Sequence, residues 1–131
     1  MPRFLNPETV PKPSSRYTQA IALAPHAKRL IISGQVGMKP DGTIAQGLEA
    51  QTEQVFDNIL ALVAAADMKP TDIVKIVTYC TVPGQMATIR EVRQRKLGNH
   101  APTSTLLVVA GLANPDFLIE IEAEAVLEAA I

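Results

Sequence analysis

A segment near the end of the chain, residues 118–126, alternates apolar residues with three glutamates, Glu120, Glu122 and Glu124. Successive side chains of a β-strand point to opposite faces, so this spacing predicts a strand with one apolar face and one acidic face. Neighbouring like charges repel each other, and such a row is tolerated in water or where at least one carboxylate has a partner. Two interpretations follow: the acidic face is solvated, or one glutamate enters a cleft and handles a proton or a water molecule.

The other elements are predicted from apolar spacing and from turn residues. Alternating or β-branched segments predict strands over residues 17–24, 29–35, 73–82, 103–110 and 117–128. A turn separates the first two strands, which are predicted to form a hairpin. Apolar residues three and four apart predict helices over residues 48–66 and 86–97, with polar residues such as Gln51 on the remaining face of the first helix.

The resulting order, β-β-α-β-α-β-β, predicts an α+β fold with two helices on one face of a mixed sheet. Residues 1–16, which contain four prolines, are predicted to be an extended arm, and residues 17–131 a single domain. The strand at 103–110 is apolar on both sides. We therefore expect further copies of the chain to cover the face of the sheet that the helices leave open.

Composition argues against several classes of function. The net charge is −1 and no long basic stretch is present, which argues against nucleic-acid binding. No apolar run approaches the ~20 residues of a membrane span. The chain has one cysteine and two widely separated histidines, which form no metal-ligand spacing, and it has no nucleotide-binding motif. We expect a cytoplasmic protein without a metal or a cofactor.

Several motifs, in their order and spacing, resemble the reactive-intermediate deaminase family, also called Rid or YjgF. The motifs are Tyr17, the Ser-Gly-Gln of residues 33–35, the helix around residues 55–59, the strand entry at residues 71–75 and the Ile-Glu-Ile-Glu-Ala of residues 119–123. The resemblance implies a fold similar to that of a trimeric chorismate mutase. In that assembly three subunits bring their sheets together into a central barrel, and ligand clefts lie between adjacent subunits.

The resemblance also implies an activity. Active members of the family hydrolyse an enamine or imine to a ketone and ammonia, and they use no cofactor. By the same resemblance, Glu120 is expected to position the attacking water, and Tyr17, Ser33 and Gly34 are expected to line the cleft.

The arginine with which active members hold the substrate carboxylate has no counterpart here. Their Pro-x-Arg-Ser motif corresponds to residues 102–105, which read Pro-Thr-Ser-Thr, so Ser104 stands at the arginine position. A guanidinium can grip a carboxylate with two hydrogen bonds, whereas a serine offers one neutral hydroxyl. Arg90, in a basic run typical of an exposed helix face, is the nearest candidate for a replacement cation. We expect Ser104, Thr105 and Arg90 to contact the ligand, and activity on amino-acid-derived imines to be weak or absent.

Three functions remain open at this point. The first is hydrolysis of a small enamine or imine in a homotrimer. The second is a non-catalytic module that binds a small ligand in the same cleft, which the missing arginine favours. The third is endoribonuclease or translation-inhibitor activity, which the mildly acidic composition, the five aromatic residues and the absence of a histidine pair disfavour.

Overall fold

The computed structural model of the protein describes residues 2–10, 12–13 and 15–128. The helices there are α1 (Leu48–Ala65) and α2 (Met86–Leu97), both within one residue of the predicted bounds. The strands are β1 (Arg3–Leu5), β2 (Ala20–Ala22), β3 (Lys28–Val36), β4 (Ile73–Cys80), β5 (Thr103–Val108) and β6 (Ile119–Leu127). Over these described ranges, no helix has the length and apolar character needed to cross a membrane.

Four of the strands form the main sheet, in the order β3-β6-β4-β5. Strands β4 and β5 are parallel, and the other two pairs are antiparallel. Helices α1 and α2 pack on one face of this sheet around a buried core that includes Phe56, Ile59 and Val92. The α+β architecture with two helices on one face of a mixed sheet is therefore confirmed.

The predicted hairpin of the first two strands is wrong. Strand β2 pairs with β1, which lies within the N-terminal arm, and the two form a separate antiparallel ribbon. Strand β3 pairs with β6 instead, from Lys28 opposite Leu127 to Val36 opposite Glu120. The reason is the number of cross-strand pairs: β6 matches most of the nine residues of β3, whereas β2 has only three residues to offer.

Strand β6 separates the two faces of the sheet as its sequence predicts. Ile119, Ile121, Ala123 and Ala125 lie beneath the helices and are at most 3% exposed. Glu120, Glu122 and Glu124 therefore lie on the opposite face, which we call the open face. Its other members follow from the strand register and include Ile31, Ser33, Val36, Lys75, Val77, Tyr79, Thr103, Thr105 and Leu107.

Gln51 departs from the polar helix face on which the sequence places it. The residue is only 2% exposed, and its side-chain hydrogen bonds reach backbone outside α1. Its Nε2 donates to the carbonyl oxygens of Ala45 at 3.1 Å and Asp116 at 2.9 Å, and its Oε1 accepts from the Leu118 amide at 2.8 Å. One side chain thereby fixes the segment before α1 and the start of β6 against the helix.

We expect Gln51→Leu, which keeps the side-chain volume but removes these bonds, to lower the free energy of unfolding by about 2–4 kcal/mol, because three backbone groups lose their partner. Urea unfolding measures the change. Gln54→Leu is the matched control, since Gln54 lies on the same helix and bonds only to Asn58. Its cost should stay below about 1 kcal/mol. Equal costs for the two variants would show that the buried network does not hold the fold.

Candidate functional site

The three carboxylates of β6 differ in their partners. Glu122 accepts a hydrogen bond from the Tyr79 hydroxyl, and Glu124 forms an ion pair with Arg29 at 2.8 Å. Glu120 has no hydrogen bond or ion pair with any residue in the described part of the chain. Of the two interpretations of the acidic row, this difference favours the one in which a single glutamate serves a ligand or a water.

Tyr79 lies on the strand next to Glu120 and is directed towards Glu122 rather than towards Glu120. The hydrogen bond to Glu122 raises the pKa of the Tyr79 phenol above its ordinary value, and the negative charges of Glu122 and Glu120 act in the same direction. The phenol is therefore a neutral donor at physiological pH. It satisfies Glu122 and leaves the Glu120 carboxylate free to accept other bonds.

The Glu120 carboxylate rests against the backbone of Gly34. The register of β3 with β6 shifts between Ile32 and Gln35, so Ser33 and Gly34 together face Glu122 in a β-bulge. A Cβ atom at Gly34 would lie 2.0 Å from Oε2 of Glu120, which no real contact allows. Ser33, Gly34 and Glu120, which the resemblance assigns to one site, therefore do lie together.

A second group of predicted residues lines a cavity of about 220 Å³ on the helix-covered side, between α2 and β5. Tyr17, Arg90 and Ser104 all contribute to its wall. The wall also contains three polar residues that are not among the predicted site residues, Ser15, Thr78 and Arg93. Apolar side chains from both helices and from β5 make up most of the remainder. We call this space the α2–β5 cavity.

Arg93 brings a guanidinium to Ser104, the residue that stands at the arginine position in the resemblance to the family. Its Nη1 donates to Oγ of Ser104 at 3.2 Å, and its Nη2 donates to Oγ of Ser15 at 3.4 Å. Burial lowers the pKa of Arg93, and the nearby charges of Arg90 and Arg16 lower it further. An arginine nevertheless stays protonated at physiological pH, so the cavity has a fixed positive charge in its wall.

The basic run at 90–96 is thus not one uniform solvated helix face. Arg95 pairs with Glu49 and Glu53 of α1, and Lys96 pairs with Asp57. Arg90 donates only to the sulfur of Met86, at 3.3 Å, and no carboxylate within the described ranges pairs with Arg90 or Arg93. Their three-residue spacing puts these two arginines on one side of the helix, and this was the signal in the sequence that could have identified Arg93.

The predicted site residues form two groups on opposite faces of the sheet. Ser104 pairs with Ile76 and faces the helices, whereas Glu120 pairs with Tyr79 on the open face. Strand β4 lies between their strands, and neighbouring strands are about 4.8 Å apart. Thr105 follows Ser104 along β5, so it lies on the open face and away from the α2–β5 cavity. A small ligand in that cavity cannot touch Glu120 of the same chain.

Alanine substitutions at two glycines compare a contact with the flexible Glu120 side chain with a contact in the core. Gly34→Ala should displace the Glu120 carboxylate but cost less than about 1 kcal/mol of stability, because the clashing group is the far end of a flexible side chain. Gly37→Ala, the control, would place a Cβ 2.6 Å from Cβ of Gln51 and 2.8 Å from its Cα. This clash against α1 should cost about 1–3 kcal/mol.

Urea unfolding of both variants, with a crystal structure of Gly34→Ala, tests the difference. An unmoved Glu120 in Gly34→Ala, or equal destabilisation by the two substitutions, would contradict the described packing.

Comparison with known proteins agrees with these features. A family model described as endoribonuclease L-PSP matches residues 7–127. A RutC family protein of Pyrococcus horikoshii is 36% identical over 118 residues, which cover 88% of this chain and 90% of that protein. A protein of Salmonella typhimurium named 2-iminobutanoate/2-iminopropanoate deaminase is 32% identical over 130 residues, which cover 96% and 98% of the two chains.

Solved structures are similar over nearly the same length. A protein of unknown function from the conserved Rid family of Yersinia pestis has a TM-score of 0.85 and 33% identity, and the match covers 96% of this chain and 98% of that one. A structure from Thermotoga maritima described as a putative endoribonuclease has a TM-score of 0.73 and 32% identity, with 97% and 98% covered. The family match, the relatives and the shared fold together show that this chain belongs to the endoribonuclease L-PSP family, also known as the Rid or YjgF family.

Proposed function

We propose that this protein hydrolyses a small enamine or imine to a carbonyl compound and ammonia, in a cleft that two copies of the chain build together. The observation that carries the proposal is the hydrogen bond from Arg93 to Ser104, which supplies a guanidinium where the family arginine is missing. The deaminase name of a relative that is 32% identical over nearly the full chain supports the same reaction class.

Arg93 changes the expectation about imines that carry a carboxylate. The sequence lacks the arginine on β5, and a neutral Ser104 alone would leave the substrate carboxylate without a cation. The guanidinium of Arg93 comes from α2 instead, and two of its nitrogen atoms already donate to the Ser104 and Ser15 hydroxyls at the wall of the cavity. A carboxylate in the cavity would accept charge-assisted hydrogen bonds from it. The proposal is therefore that turnover of amino-acid-derived imines is retained.

A second copy of the chain supplies the glutamate. Arg93 and Glu120 of one chain are on opposite sides of the sheet, so one ligand meets both residues only if another copy contributes one of them. The open face favours such an assembly, since Ile31 is 63% exposed and Leu107 is 46% exposed there. Covering exposed apolar side chains is favourable, at about 25 cal/mol for each Å² removed from water. The proposed assembly is the homotrimer that the resemblance implies.

The reaction needs one proton acceptor and one water. An enamine first tautomerises to the imine. Glu120 accepts a proton from water while the water oxygen forms a bond to the imine carbon, and the proton passes to the nitrogen. In the resulting carbinolamine the hydroxyl proton passes to the nitrogen, the carbon–nitrogen bond breaks as the carbon–oxygen double bond forms, and ammonia leaves the carbonyl compound. One water is consumed, and no oxidant, reductant or cofactor enters the balance.

Release of ammonia from 2-iminobutanoate, formed in situ from 2-aminobutanoate by an amino-acid oxidase, tests the proposal. We expect the wild type to accelerate hydrolysis over the spontaneous rate and Glu120→Gln to lose at least about 100-fold in kcat, because the proton acceptor is removed. Arg93→Gln should lose about 10- to 100-fold in kcat/KM, because the substrate carboxylate loses a charged donor.

Glu124→Gln is the matched control, since it removes a carboxylate from the same strand and face that is already paired with Arg29. It should retain wild-type turnover. Absence of wild-type acceleration would contradict the proposed hydrolysis, and binding of 2-oxobutanoate without turnover would then support the ligand-binding module. Full activity in Glu120→Gln would contradict the assignment of Glu120.

A further inference from the structure

We propose that the preferred substrate carries a second anionic group, and that Arg90 binds this group while Arg93 holds the carboxylate beside the imine. The smallest substrates of this class are the imines of dicarboxylic amino acids. The inference rests on the proposed function, because it names the substrate class of the same cleft.

The first support is the uneven distribution of counter-charges along α2. The two basic residues that face α1, Arg95 and Lys96, are paired with carboxylates. The two that line the α2–β5 cavity, Arg90 and Arg93, have no such partner in the described part of the chain. Within the described residues, the cations of α2 that face α1 are therefore paired with carboxylates, and those that line the cavity are not.

The second support is mutual repulsion. Arg90 and Arg93 are three residues apart on one helix, and Arg16, whose Nη1 donates to the Gly98 carbonyl oxygen at 2.9 Å, adds a third charge nearby. Like charges this close repel each other: burial lowers the pKa of Arg93 most, and the charges of Arg90 and Arg16 lower it further. An anion that contacts both arginines of α2 would relieve this repulsion. A single carboxylate is already satisfied by one guanidinium, so the other remains for a second anionic group.

The third support is size. A cavity of about 220 Å³ corresponds to the liquid volume of about seven water molecules, at roughly 30 Å³ each. An acid of four or five carbon atoms is of this size. The hydroxyls of Ser15, Tyr17 and Ser104 in the same wall can donate to further carboxylate oxygens.

The test compares two imines that differ only in the second group. Aspartate gives a dicarboxylic imine in the presence of a suitable oxidase, and asparagine gives the nearly isosteric neutral amide. Hydrolysis is followed through ammonia and the oxo acid. For the wild type we expect kcat/KM to be about 10- to 100-fold higher for the dicarboxylic imine.

Arg90→Gln should reduce that ratio to near one, and Arg90→Lys, which keeps the charge, should retain a clear preference. Arg95→Gln is the matched control, because it removes an arginine of the same helix that faces α1, and it should leave the ratio unchanged. Circular dichroism of each variant establishes that it is folded.

The outcomes separate this inference from the proposed function. Glu120-dependent hydrolysis of the amide imine with no preference for the dicarboxylic imine would overturn the inference and leave the proposed function standing. A wild-type preference that persists in Arg90→Gln would overturn the role of Arg90. Hydrolysis of neither imine, nor of 2-iminobutanoate, would overturn both proposals.

Discussion

The alternation of buried apolar and acidic side chains along β6 determines the rest of the structure. The strand pairs with β3 on one side and with β4 on the other, so its register fixes both neighbours. A slip of one residue would bring Glu120, Glu122 and Glu124 beneath the helices and move the buried Ile119 and its companions into water. Gln51 secures this register at its origin, because the side-chain oxygen holds the amide of Leu118, directly before the strand.

Because of the same alternation of faces, we propose that one chain makes only half of a site. In the part of the chain that the structure describes, the β6 carboxylate without a partner lies on the open face, and the two α2 arginines without counter-charges lie on the helix-covered face. Glu120 packs against the backbone of Gly34, and Arg93 donates hydrogen bonds to two serine hydroxyls. Each charged group is therefore held in place and can bind a group that its own chain does not supply. A second copy of the chain, placed against the exposed apolar residues of the open face, is the simplest way to bring such halves together.

Much of the fold could be predicted from the sequence because the signals are local. The periodicity of α1 and α2 and the alternation of β6 are properties of consecutive residues, and the structure has them within one or two positions. Local patterns carried no information on which strand pairs with which. The prediction therefore paired residues 17–24 with 29–35, although β3 finds a longer partner in β6. Gln51 was also misplaced, since its burial depends on loops that only the tertiary fold brings to it.

The candidate site could also be predicted from the sequence only in part. The acidic row pointed to Glu120 through spacing and resemblance, and the structure adds that its two neighbours are paired. We propose Arg93 as the replacement cation. Its three-residue spacing from Arg90 places the two arginines on one side of α2, but the sequence does not say which of the basic residues of α2 meet the carboxylates of α1. The sequence analysis named Arg90, whereas the contact with Ser104 belongs to Arg93.

The central claim, a cleft that takes Arg93 from one copy and Glu120 from another, can be tested by mixing two impaired variants. Glu120→Gln and Arg93→Gln chains, unfolded together and refolded as a mixture, should hydrolyse the imine at sub-saturating concentration faster than either variant alone. Random assembly would restore roughly a quarter of the clefts to the wild-type set of residues. Activity of the mixture no higher than the mean of the two separate variants would contradict a site shared between chains.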